Sequence, residues 1–474
     1  MKFINRDHEL KALADLWRAG TSQLVVVYGK RRVGKTELIK RFIHGKPSIY
    51  FLARRIRDEE NLFYLGHAIG EFFGDTILKT RGFARWDQVF SFLKERAGKG
   101  GAGRTPRNRD AGRLVLVIDE FPYLAEANRG ISSIFQAGWD EHLKNTPIFL
   151  ILCGSSIGMM EKEALAYKAP LYGRRTGQLF VKPLSFSEAR EFFPRFRFEE
   201  ALRAYSIAGG TPAYLMRLAG YPSLEKAVEE EILSPERFLY EEVEFILMEE
   251  LREPRNYFSI LRAIGSHCTK VSEITNATGL EKSALHTYLF VLEDLHVIEK
   301  HVPVTEKHPQ RSRKGRYYLK DQFFTFWFNY CFPFMGELEL RNKVPSMKAF
   351  RNSFEGIVAK NYETAAQEIL RESQEELFVF HRIGRWWDKN EEIDIVALNE
   401  TTNEILLGEV KWSKKQVGTD VFESLKRKSQ KVEWGKRSRK EYYCLFSRSG
   451  FTPEMRRVAK KEGVFLFKLD RLSR

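Results

Sequence analysis

Short apolar runs alternate with amphipathic segments over the first part of the chain. Residues 35–42 have the three- and four-residue apolar spacing of a helix. Four runs are continuously apolar and rich in β-branched or aromatic side chains: residues 24–28, 47–52, 114–118 and 148–153. Strands without a polar face are typical of a parallel sheet covered on both sides. The pattern therefore predicts an α/β domain over residues 1–182.

The pattern becomes helical after Pro183. Ser185 is a predicted helix cap, and Glu188 completes a capping box three residues later. We therefore expect a helical lid on the α/β domain over residues 183–250. Residues 97–112 contain almost nothing apolar, which predicts a mobile loop.

Residues 251–338 have the pattern of a helix-turn-helix followed by a hairpin. A helix at 271–274, a tight turn at 278–280 and a second helix at 283–292 precede a strand, a basic loop and a returning strand over 302–319. Leu285, Leu289 and Leu292 are expected to face the core. The unit resembles a winged helix, which implies DNA contacts by Lys282, Ser283, His286, Thr287, Arg311, Arg313, Lys314 and Arg316.

The chain changes class again over residues 339–474. A helix is followed by predicted strands at 377–382, 393–398, 405–410 and 442–447. This pattern predicts a second α/β module.

Length and charge agree with several modules and an anionic partner. The chain has 474 residues, of which 43% are hydrophobic, and at roughly 150 residues a domain this suggests about three domains. The net charge is +15, which favours a polyanion such as double-stranded DNA. A highly charged, well-solvated surface is the alternative, since 30% of the residues are charged.

The four cysteines are scattered, without the paired spacing of a zinc site or a disulfide framework. The first ten residues are charged, and no apolar run is long enough for a bilayer span. We expect a cytoplasmic protein without a membrane partner.

Residues 29–36, GKRRVGKT, match the phosphate-binding loop G-x-x-x-x-G-K-[ST] between a predicted strand and a predicted helix. Backbone amides of such a loop surround phosphates, the lysine reaches the β- and γ-phosphates, and the hydroxyl ligates Mg²⁺. The motif predicts ATP and Mg²⁺ as cofactors, bound by Gly29, Lys30, Arg31, Arg32, Val33, Gly34, Lys35 and Thr36.

Two carboxylates, Asp119 and Glu120, end the apolar run at 114–118. Asp119 is predicted to hold the magnesium ion together with Thr36, and Glu120 to polarise the attacking water. A simple acidic turn is the alternative, which the preceding phosphate loop disfavours.

A second carboxylate group lies in the C-terminal module. Asp394 in one predicted strand, with Glu409 and Lys411 in the next, would share one face because residues two apart in a strand point the same way. Hard carboxylates bind Mg²⁺, and a neighbouring lysine can orient water and stabilise an anionic transition state. The spacing resembles the restriction-endonuclease-like, or PD-(D/E)xK, superfamily, which implies Asp394 and Glu409 as metal ligands and Glu355 as a helical partner. Ile393 departs from the pattern, which has proline there.

Nearly the whole chain resembles archaeal-type P-loop ATPases of the AAA+ and STAND-related class that carry a C-terminal nuclease-like domain. The resemblance rests on the two nucleotide motifs and on FINRDHEL at 3–10, CGSS at 153–156, LYGRR at 171–175 and GGTP at 209–212. It implies a P-loop parallel sheet with a helical lid, a winged helix and a restriction-endonuclease-like α/β domain.

The same resemblance implies further nucleotide contacts. Asn5 and Arg6 would lie near the adenine, Ser155 would sense the γ-phosphate, and Pro212 would belong to a lid over the nucleotide. Arg174 and Arg175 would act as arginine fingers or sensor residues, and the arginine-finger role implies a homo-oligomer. A surface salt-bridge pair is the alternative for the two arginines.

Three functions remain open. The first is an ATP-driven enzyme that docks DNA on the winged helix and cuts it with Mg²⁺. The second is a nucleotide-dependent switch whose nuclease-like domain only binds nucleic acid, and the third is a chaperone-like ATPase with a protein client. In ATPases of this class a winged helix is often only a packing module.

Overall fold

The computed structural model describes residues 4–97, 113–251, 253–375, 377–389, 391–436 and 438–473. The loop predicted at 97–112 lies, apart from its first residue, outside the described residues. The chain divides into two compact units. The first is Met1–Pro183 with Thr211–Ala213, and the second is Leu184–Gly210 with Tyr214–Arg474.

The first unit alternates strands and helices. Its helices are α1 (Asp7–Arg18), α2 (Lys35–Ile43), α3 (Asp58–Phe73), α4 (Thr76–Arg81), α5 (Trp86–Arg96), α6 (Phe121–Ala127), α7 (Ile131–Gly138) and α8 (Ile157–Met160). Its strands are β1 (Gln23–Tyr28), β2 (Ser48–Leu52), β3 (Leu114–Asp119), β4 (Ile148–Gly154) and β5 (Gly177–Phe180). Two π-helical turns occupy Trp139–Leu143 and Glu161–Leu165.

The five strands form one parallel sheet in the order β2-β3-β4-β1-β5. Successive residues of β1 point to opposite faces, so Leu24 and Val26 enter one buried cluster while Val25 and Val27 enter another. The first cluster packs against helices that include α3, α5 and α7, and the second against α1 and α2. Both faces are therefore covered, which confirms the predicted α/β class.

The four predicted strands and the helix at 35–42 are confirmed within a residue or two. The sequence analysis missed β5, a four-residue strand at the edge of the sheet whose side chains are mostly half-buried. Such a short segment lacks the apolar run from which a strand is predicted.

The second unit begins with helices. These are α9 (Phe186–Ala189), α10 (Phe198–Ala208), α11 (Pro212–Ala219, whose first two residues group with the first unit), α12 (Leu224–Ala227) and α13 (Glu242–Glu250), with a 3₁₀ turn at Arg190–Phe192 and a π-helical turn at Val228–Ile232. The capping box is confirmed, since the Ser185 backbone N–H donates to the Glu188 carboxylate at 2.6 Å. Most of the predicted lid thus groups with the second unit, and its action as a lid stays a prediction.

Three helices and a hairpin follow. They are α14 (Arg255–Gly265), α15 (Val271–Thr278), α16 (Lys282–Asp294), β6 (Ile298–His301) and β7 (Arg316–Leu319), with a 3₁₀ turn at Pro309–Arg311. Gly279 closes α15 at φ 70°, and β6 pairs antiparallel with β7. Leu285, Leu289 and Leu292 are buried as predicted. The first strand of the hairpin ends before residue 302, so its predicted start was wrong.

The rest of the unit consists of five helices and the strands of a mixed sheet. Three of the helices precede the strands in the sequence, and the other two lie between strands. The helices are α17 (Gln322–Tyr330), α18 (Met335–Glu339), α19 (Val344–Glu372), α20 (Thr419–Ser429) and α21 (Pro453–Glu462), with a 3₁₀ turn at Phe332–Phe334. The strands are β8 (Arg382–Asp388), β9 (Glu391–Asn399), β10 (Glu404–Lys411), β11 (Lys440–Ser447), β12 (Phe465–Lys468) and β13 (Arg471–Ser473).

The C-terminal strands form one six-stranded sheet in chain order from β8 to β13. Pairs β8-β9, β9-β10 and β12-β13 are antiparallel, while β10-β11 and β11-β12 are parallel. The strand predicted at 377–382 was wrong, because β8 starts at Arg382 and continues through the half-buried Arg385 and the buried Trp386 and Trp387. The strands predicted at 393–398, 405–410 and 442–447 are confirmed within longer ones.

Across the described ranges, no helix combines the length and the apolar character needed to cross a membrane.

Candidate nucleotide site and carboxylate centre

The phosphate-binding loop connects β1 to α2, as predicted. Gly29 has φ 148°, and a Cβ atom there would lie 2.4 Å from the carbonyl oxygen of Val181. Gly34 has φ 95°, in the region that favours glycine, and immediately precedes α2. Both glycines of the motif are therefore required by the backbone.

Lys35 points back at its own loop. Its ammonium group donates to the carbonyl oxygens of Gly29 at 2.8 Å and Lys30 at 2.9 Å. The side chain is almost fully buried, and this burial lowers its pKa. The loop thus holds a desolvated cation at the N-terminus of α2, where the helix dipole also favours anions.

Asp119 lies at the end of β3 and faces Thr36. The Thr36 hydroxyl donates to Asp119 Oδ2 at 3.1 Å, and the Tyr50 hydroxyl donates to the same oxygen. Only 3% of Asp119 is exposed. This group offers the hydroxyl and carboxylate oxygens that Mg²⁺ prefers.

Tyr50 was not singled out in the sequence. It lies on β2, the strand that pairs with β3, and its pKa is raised, first by burial and then by its hydrogen bond to Asp119. The alternation of β2 could have indicated that Tyr50 and Leu52 share a face, but it does not indicate which face bears the site.

Glu120 is held by Ser155. Its Oε2 accepts from the Ser155 hydroxyl at 2.9 Å and from the Ser155 backbone N–H at 3.1 Å. Glu120 itself has φ 55°, a left-handed conformation that redirects the chain from β3 into α6. The structure therefore brings together two residues that the sequence analysis had placed in separate motifs.

Arg6 supports the loop from the outside. Its buried guanidinium donates to the carbonyl oxygens of Val33 at 2.9 Å and Lys182 at 2.7 Å. The side-chain oxygen of Asn5 accepts from the Arg6 backbone N–H at 2.7 Å. These bonds give Arg6 a role in fixing the loop, and its place beside an adenine stays a prediction.

The remaining predicted nucleotide contacts lie in varied settings. Arg31 donates to the Tyr123 hydroxyl at 2.7 Å, and Arg32 has φ 66°. Arg174 forms an ion pair with Asp140 at 3.0 Å, the alternative left open above. Arg175 donates to the carbonyl oxygen of Leu165 at 3.0 Å, and Pro212 begins α11.

The C-terminal carboxylates meet on β9 and β10. Lys411 forms an ion pair with Glu409, and its ammonium lies 3.8 Å from Asp394 Oδ2. Asp394 also accepts from the backbone N–H of Val410 at 2.9 Å. Burial, followed by the neighbouring carboxylates Glu363 and Glu409, raises the pKa of Asp394. The predicted juxtaposition of Asp394, Glu409 and Lys411 is present.

Lys428 is a second lysine at this centre. It extends from α20 and binds the other oxygen of Glu409 at 2.6 Å, so the two oxygens of this buried carboxylate each contact a lysine. In the described ranges no three His, Cys, Asp or Glu side chains are arranged to hold a metal ion. Asp394 and Glu409 nevertheless fit Mg²⁺ chemically, because both are oxygen ligands next to each other on one sheet.

Glu355 has other partners than the carboxylate centre. It accepts from Arg203 at 2.8 Å and from the Trp412 indole N–H at 2.8 Å. Although burial acts in the opposite direction, these hydrogen bonds lower its pKa. The glutamate of α19 whose charge raises the pKa of Asp394 is Glu363, which lies eight residues further along the helix. A spacing of eight residues leaves both on nearly the same helical face, so the sequence did not distinguish them.

Arg385 connects Glu363 to the hairpin side of the unit. Its guanidinium lies 2.8 Å from Glu363 and 2.6 Å from Glu392, and Glu392 in turn pairs with Arg316 at 3.1 Å. Although burial opposes its charge, the two glutamates raise the pKa of Arg385. A chain of ion pairs thus extends from Arg316 on β7 to Glu363 on α19, whose negative charge raises the pKa of Asp394.

The residues predicted to contact DNA differ in exposure. Arg316 is half-buried, and its guanidinium lies 4.6 Å from the centre of the Trp387 ring. Lys314 is exposed and lies 3.7 Å from Asp388. The other six are exposed: Lys282, Ser283, His286, Thr287, Arg311 and Arg313.

The sheet order, the glycine-bounded loop and the Thr36–Asp119 contact define a P-loop ATPase. Residues 3–218 match a family described as an ATPase domain predominantly from Archaea. Residues 327–429 match a family described as "Archaea bacterial proteins of unknown function". The first match covers the whole nucleotide site, so these residues form an ATP-binding domain of the archaeal ATPase type.

The uncharacterized protein MJECL04 of Methanocaldococcus jannaschii is 37% identical to this chain over 453 residues, which cover 94% of this chain and 95% of that protein. This chain belongs to the same family of archaeal-type ATPases. The uncharacterized ATP-binding protein MJ0423 of the same archaeon is 48% identical over 44 residues, which cover 9% of this chain and 75% of that protein.

Among solved structures, the Walker-type ATPase PABY2304 of Pyrococcus abyssi is similar to this chain with a TM-score of 0.51 and 22% identity. The alignment covers 69% of this chain and 96% of that protein. At this identity the likeness concerns the fold alone, and it agrees with the parallel sheet described above.

Proposed function

We propose that this protein is a Mg²⁺-dependent ATPase that binds double-stranded DNA and cuts or processes it at a metal-dependent centre on the C-terminal sheet. The ATPase class is established by the family. The magnesium dependence, the DNA and the cleavage are our proposals.

In the ATPase step, Lys35 would exchange its two neutral carbonyl acceptors for oxygens of the β- and γ-phosphates. A charged oxygen is the stronger acceptor for the same ammonium, so the exchange favours nucleotide binding. Thr36 and Asp119 would hold Mg²⁺, which neutralises charge on the phosphates when bound. Glu120, once released from Ser155, would orient and deprotonate the attacking water.

DNA binding is supported by α14, α15, α16 and the β6–β7 hairpin, whose order matches a winged helix. Lys282, Ser283, His286 and Thr287 are exposed on the first two turns of α16, where a recognition helix contacts base edges. The net charge of +15 favours the same partner.

Cleavage rests on one observation, the convergence of Asp394, Glu409 and Lys411 on neighbouring strands. The order of these residues and the mixed sheet support a restriction-endonuclease-like domain. Asp394 and Glu409 would hold Mg²⁺, which supplies Lewis-acid activation of the phosphate. Lys411 would position the attacking water and stabilise negative charge on the phosphorane-like transition state.

The test is nicking of supercoiled plasmid by the full chain with Mg²⁺ or Mn²⁺, with and without ATP. Wild type should convert supercoiled DNA to open circles, and Asp394→Asn should abolish this conversion. Asp420→Asn is a matched control, because it removes an exposed acid at the start of α20 that is not part of the centre. Equal nicking by wild type and Asp394→Asn would contradict the proposed centre.

A second candidate is a nucleotide-dependent switch whose C-terminal domain binds nucleic acid without cutting it. The observation that favours it is the Lys428–Glu409 ion pair at 2.6 Å, which places a cation where a nuclease needs a metal ligand to be available. Absence of nicking by wild type under every metal and nucleotide condition, with DNA binding retained, would select the switch. Activity that increases in Lys428→Ala would instead select a nuclease restrained by this lysine.

The arginines at 174 and 175 support an additional proposal, a homo-oligomer in which an arginine reaches a neighbouring nucleotide. Light scattering with and without a non-hydrolysable ATP analogue measures the mass directly. A monomer in both conditions would contradict the arginine-finger role.

A further inference from the structure

A cleft of about 660 Å³ lies between three segments of the second unit. One wall is α15 with the first residue of α16. The second wall is the end of the basic loop and the start of β7, at residues 313–316. The third wall is the end of β8 and the residue after it, at residues 387–389. We name this feature the three-walled cleft.

The three-walled cleft is strongly basic. Its lining contains six cations, Lys270, Lys282, Arg313, Lys314, Arg316 and Lys389, and one carboxylate, Asp388. Like charges on facing walls repel each other, and the repulsion is relieved when an anion lies between them.

Three of these cations are available, one on each wall. Lys282, Arg313 and Lys389 are exposed, and within the described ranges none of their side chains has an ion pair or a hydrogen bond. The other cations are engaged: Lys270 pairs with Glu273 at 3.2 Å, Lys314 with Glu306 at 3.3 Å, and Arg316 with Glu392 at 3.1 Å. The cleft therefore combines cations that are free to bind a ligand with cations that are held in ion pairs within the protein.

Contacts of Trp387 hold the second wall against the third. The Trp387 indole N–H donates to the carbonyl oxygen of Lys314 at 3.1 Å, and Arg316 stacks on the Trp387 ring. Such contacts hold Arg313 and Lys389 at a set separation before any ligand binds, which reduces the entropy lost on binding.

The basic surface continues beyond the cleft. A neighbouring depression of about 510 Å³ shares Lys314 and Asp388 with it and adds the cations Lys307, Arg311 and Lys431 together with the carboxylates Glu306 and Glu433. A ligand with charges repeated along its length fits the two depressions better than a small anion does.

We propose that the phosphodiester backbone of double-stranded DNA occupies the three-walled cleft, with phosphates contacted jointly by Lys282, Arg313 and Lys389. The inference rests on the proposed DNA binding and assigns it a contact from the C-terminal sheet that a recognition helix alone does not supply. Ser272 and Asn276, both exposed on the first wall, provide neutral donors for phosphate oxygens. Residues of the helix-turn-helix and of the C-terminal sheet thus contact the same DNA backbone.

The test is fluorescence anisotropy of a labelled mixed-sequence duplex with the full chain over a series of KCl concentrations. Each lost phosphate contact reduces the slope of log K against log salt by about 0.9. We expect Lys389→Ala and Arg313→Ala each to lower affinity about 3- to 10-fold and to reduce the slope by about this amount. Lys389→Arg should keep both, because it retains the charge.

Lys348→Ala is the matched control, since Lys348 is an exposed lysine near the start of α19, away from the cleft lining. It should bind like wild type with an unchanged slope. Wild-type binding with Lys389→Ala indistinguishable from Lys348→Ala would overturn the cleft while leaving DNA binding on α16 in place. Failure of wild type itself to bind the duplex would overturn the proposed DNA binding and this inference together.

Discussion

Arg316 of β7 forms an ion pair with Glu392 of β9 at 3.1 Å, and its guanidinium stacks on Trp387. The pair joins a hairpin expected to contact DNA to the sheet that bears the carboxylate centre. The side chain of Arg316 is only 16% exposed, so its first role is to hold two parts of the second unit together.

We expect Arg316→Met to destabilise the second unit by about 1–2 kcal/mol, because a charge-assisted hydrogen bond in a half-buried setting is lost. Glu392→Gln should lower the free energy of unfolding by less in the Arg316→Met background than in wild type, since the partners share one interaction. Urea unfolding of the four proteins measures this coupling. Arg457→Met removes a well-exposed arginine paired with Glu454 and should cost less than about 0.5 kcal/mol. Additive effects of the Arg316 and Glu392 changes would refute the coupling.

Lys35→Ala should reduce ATP hydrolysis by at least about 100-fold, because it removes the cation that stabilises charge on the transferred phosphoryl group. Phosphate release at saturating ATP is the measurement. Lys40→Ala, an exposed change on the same helix, should leave the rate within about twofold of wild type. Hydrolysis that survives in Lys35→Ala would place the chemistry elsewhere.

Tyr50→Phe tests the second hydrogen bond to Asp119. Without the hydroxyl, Asp119 loses a donor that fixes its orientation, so we expect a higher Mg²⁺ concentration for half-maximal hydrolysis. The affinity for ADP in EDTA should stay unchanged, because Tyr50 orients the carboxylate and not the phosphates. Tyr64→Phe serves as control, since Tyr64 is 40% exposed on α3. An unchanged magnesium requirement in Tyr50→Phe would show that Asp119 keeps its orientation without this hydroxyl, through Thr36 and the Glu120 backbone N–H.

Glu368 gives the second unit a predictable pH dependence. Burial raises the pKa of Glu368 to about 7, and its carboxylate accepts from the Phe186 backbone N–H at 3.0 Å. Because the folded-state pKa lies above the ordinary value of 4.5, Glu368 contributes stability below about pH 4.5 and loses it as the pH rises through 7.

Glu368→Gln should therefore flatten the pH dependence of the melting temperature between these values and raise the melting temperature at pH 8 relative to wild type. Glu423→Gln, an exposed change on α20, should leave the pH dependence as in wild type. Parallel pH profiles of wild type and Glu368→Gln would show that this carboxyl does not titrate in the folded state near neutrality.

The sequence by itself determined the local parts of this protein. The continuous apolar runs specified the parallel strands, because only strands buried on both faces lack polar alternation. The glycines, Lys35 and Thr36 specified the phosphate loop, since their roles depend on backbone conformation and on adjacency to a helix start. Glu409 and Lys411 were also found this way, because the period of two in a strand places them on one face. Asp394, on the neighbouring strand, was added by the resemblance to the restriction-endonuclease-like pattern.

Tertiary structure decided the partners that come from distant segments. Tyr50 meets Asp119 because β2 pairs with β3, and Glu120 meets Ser155 because β4 ends beside β3. Glu363 rather than Glu355 acts on Asp394, a choice set by how α19 packs on the sheet and not by its period. Lys389 reaches the same cleft as Lys282, more than a hundred residues earlier, because the hairpin is tied to β8 and β9. Side-chain spacing fixes neighbours along one element, whereas contacts between elements depend on packing that no local pattern encodes.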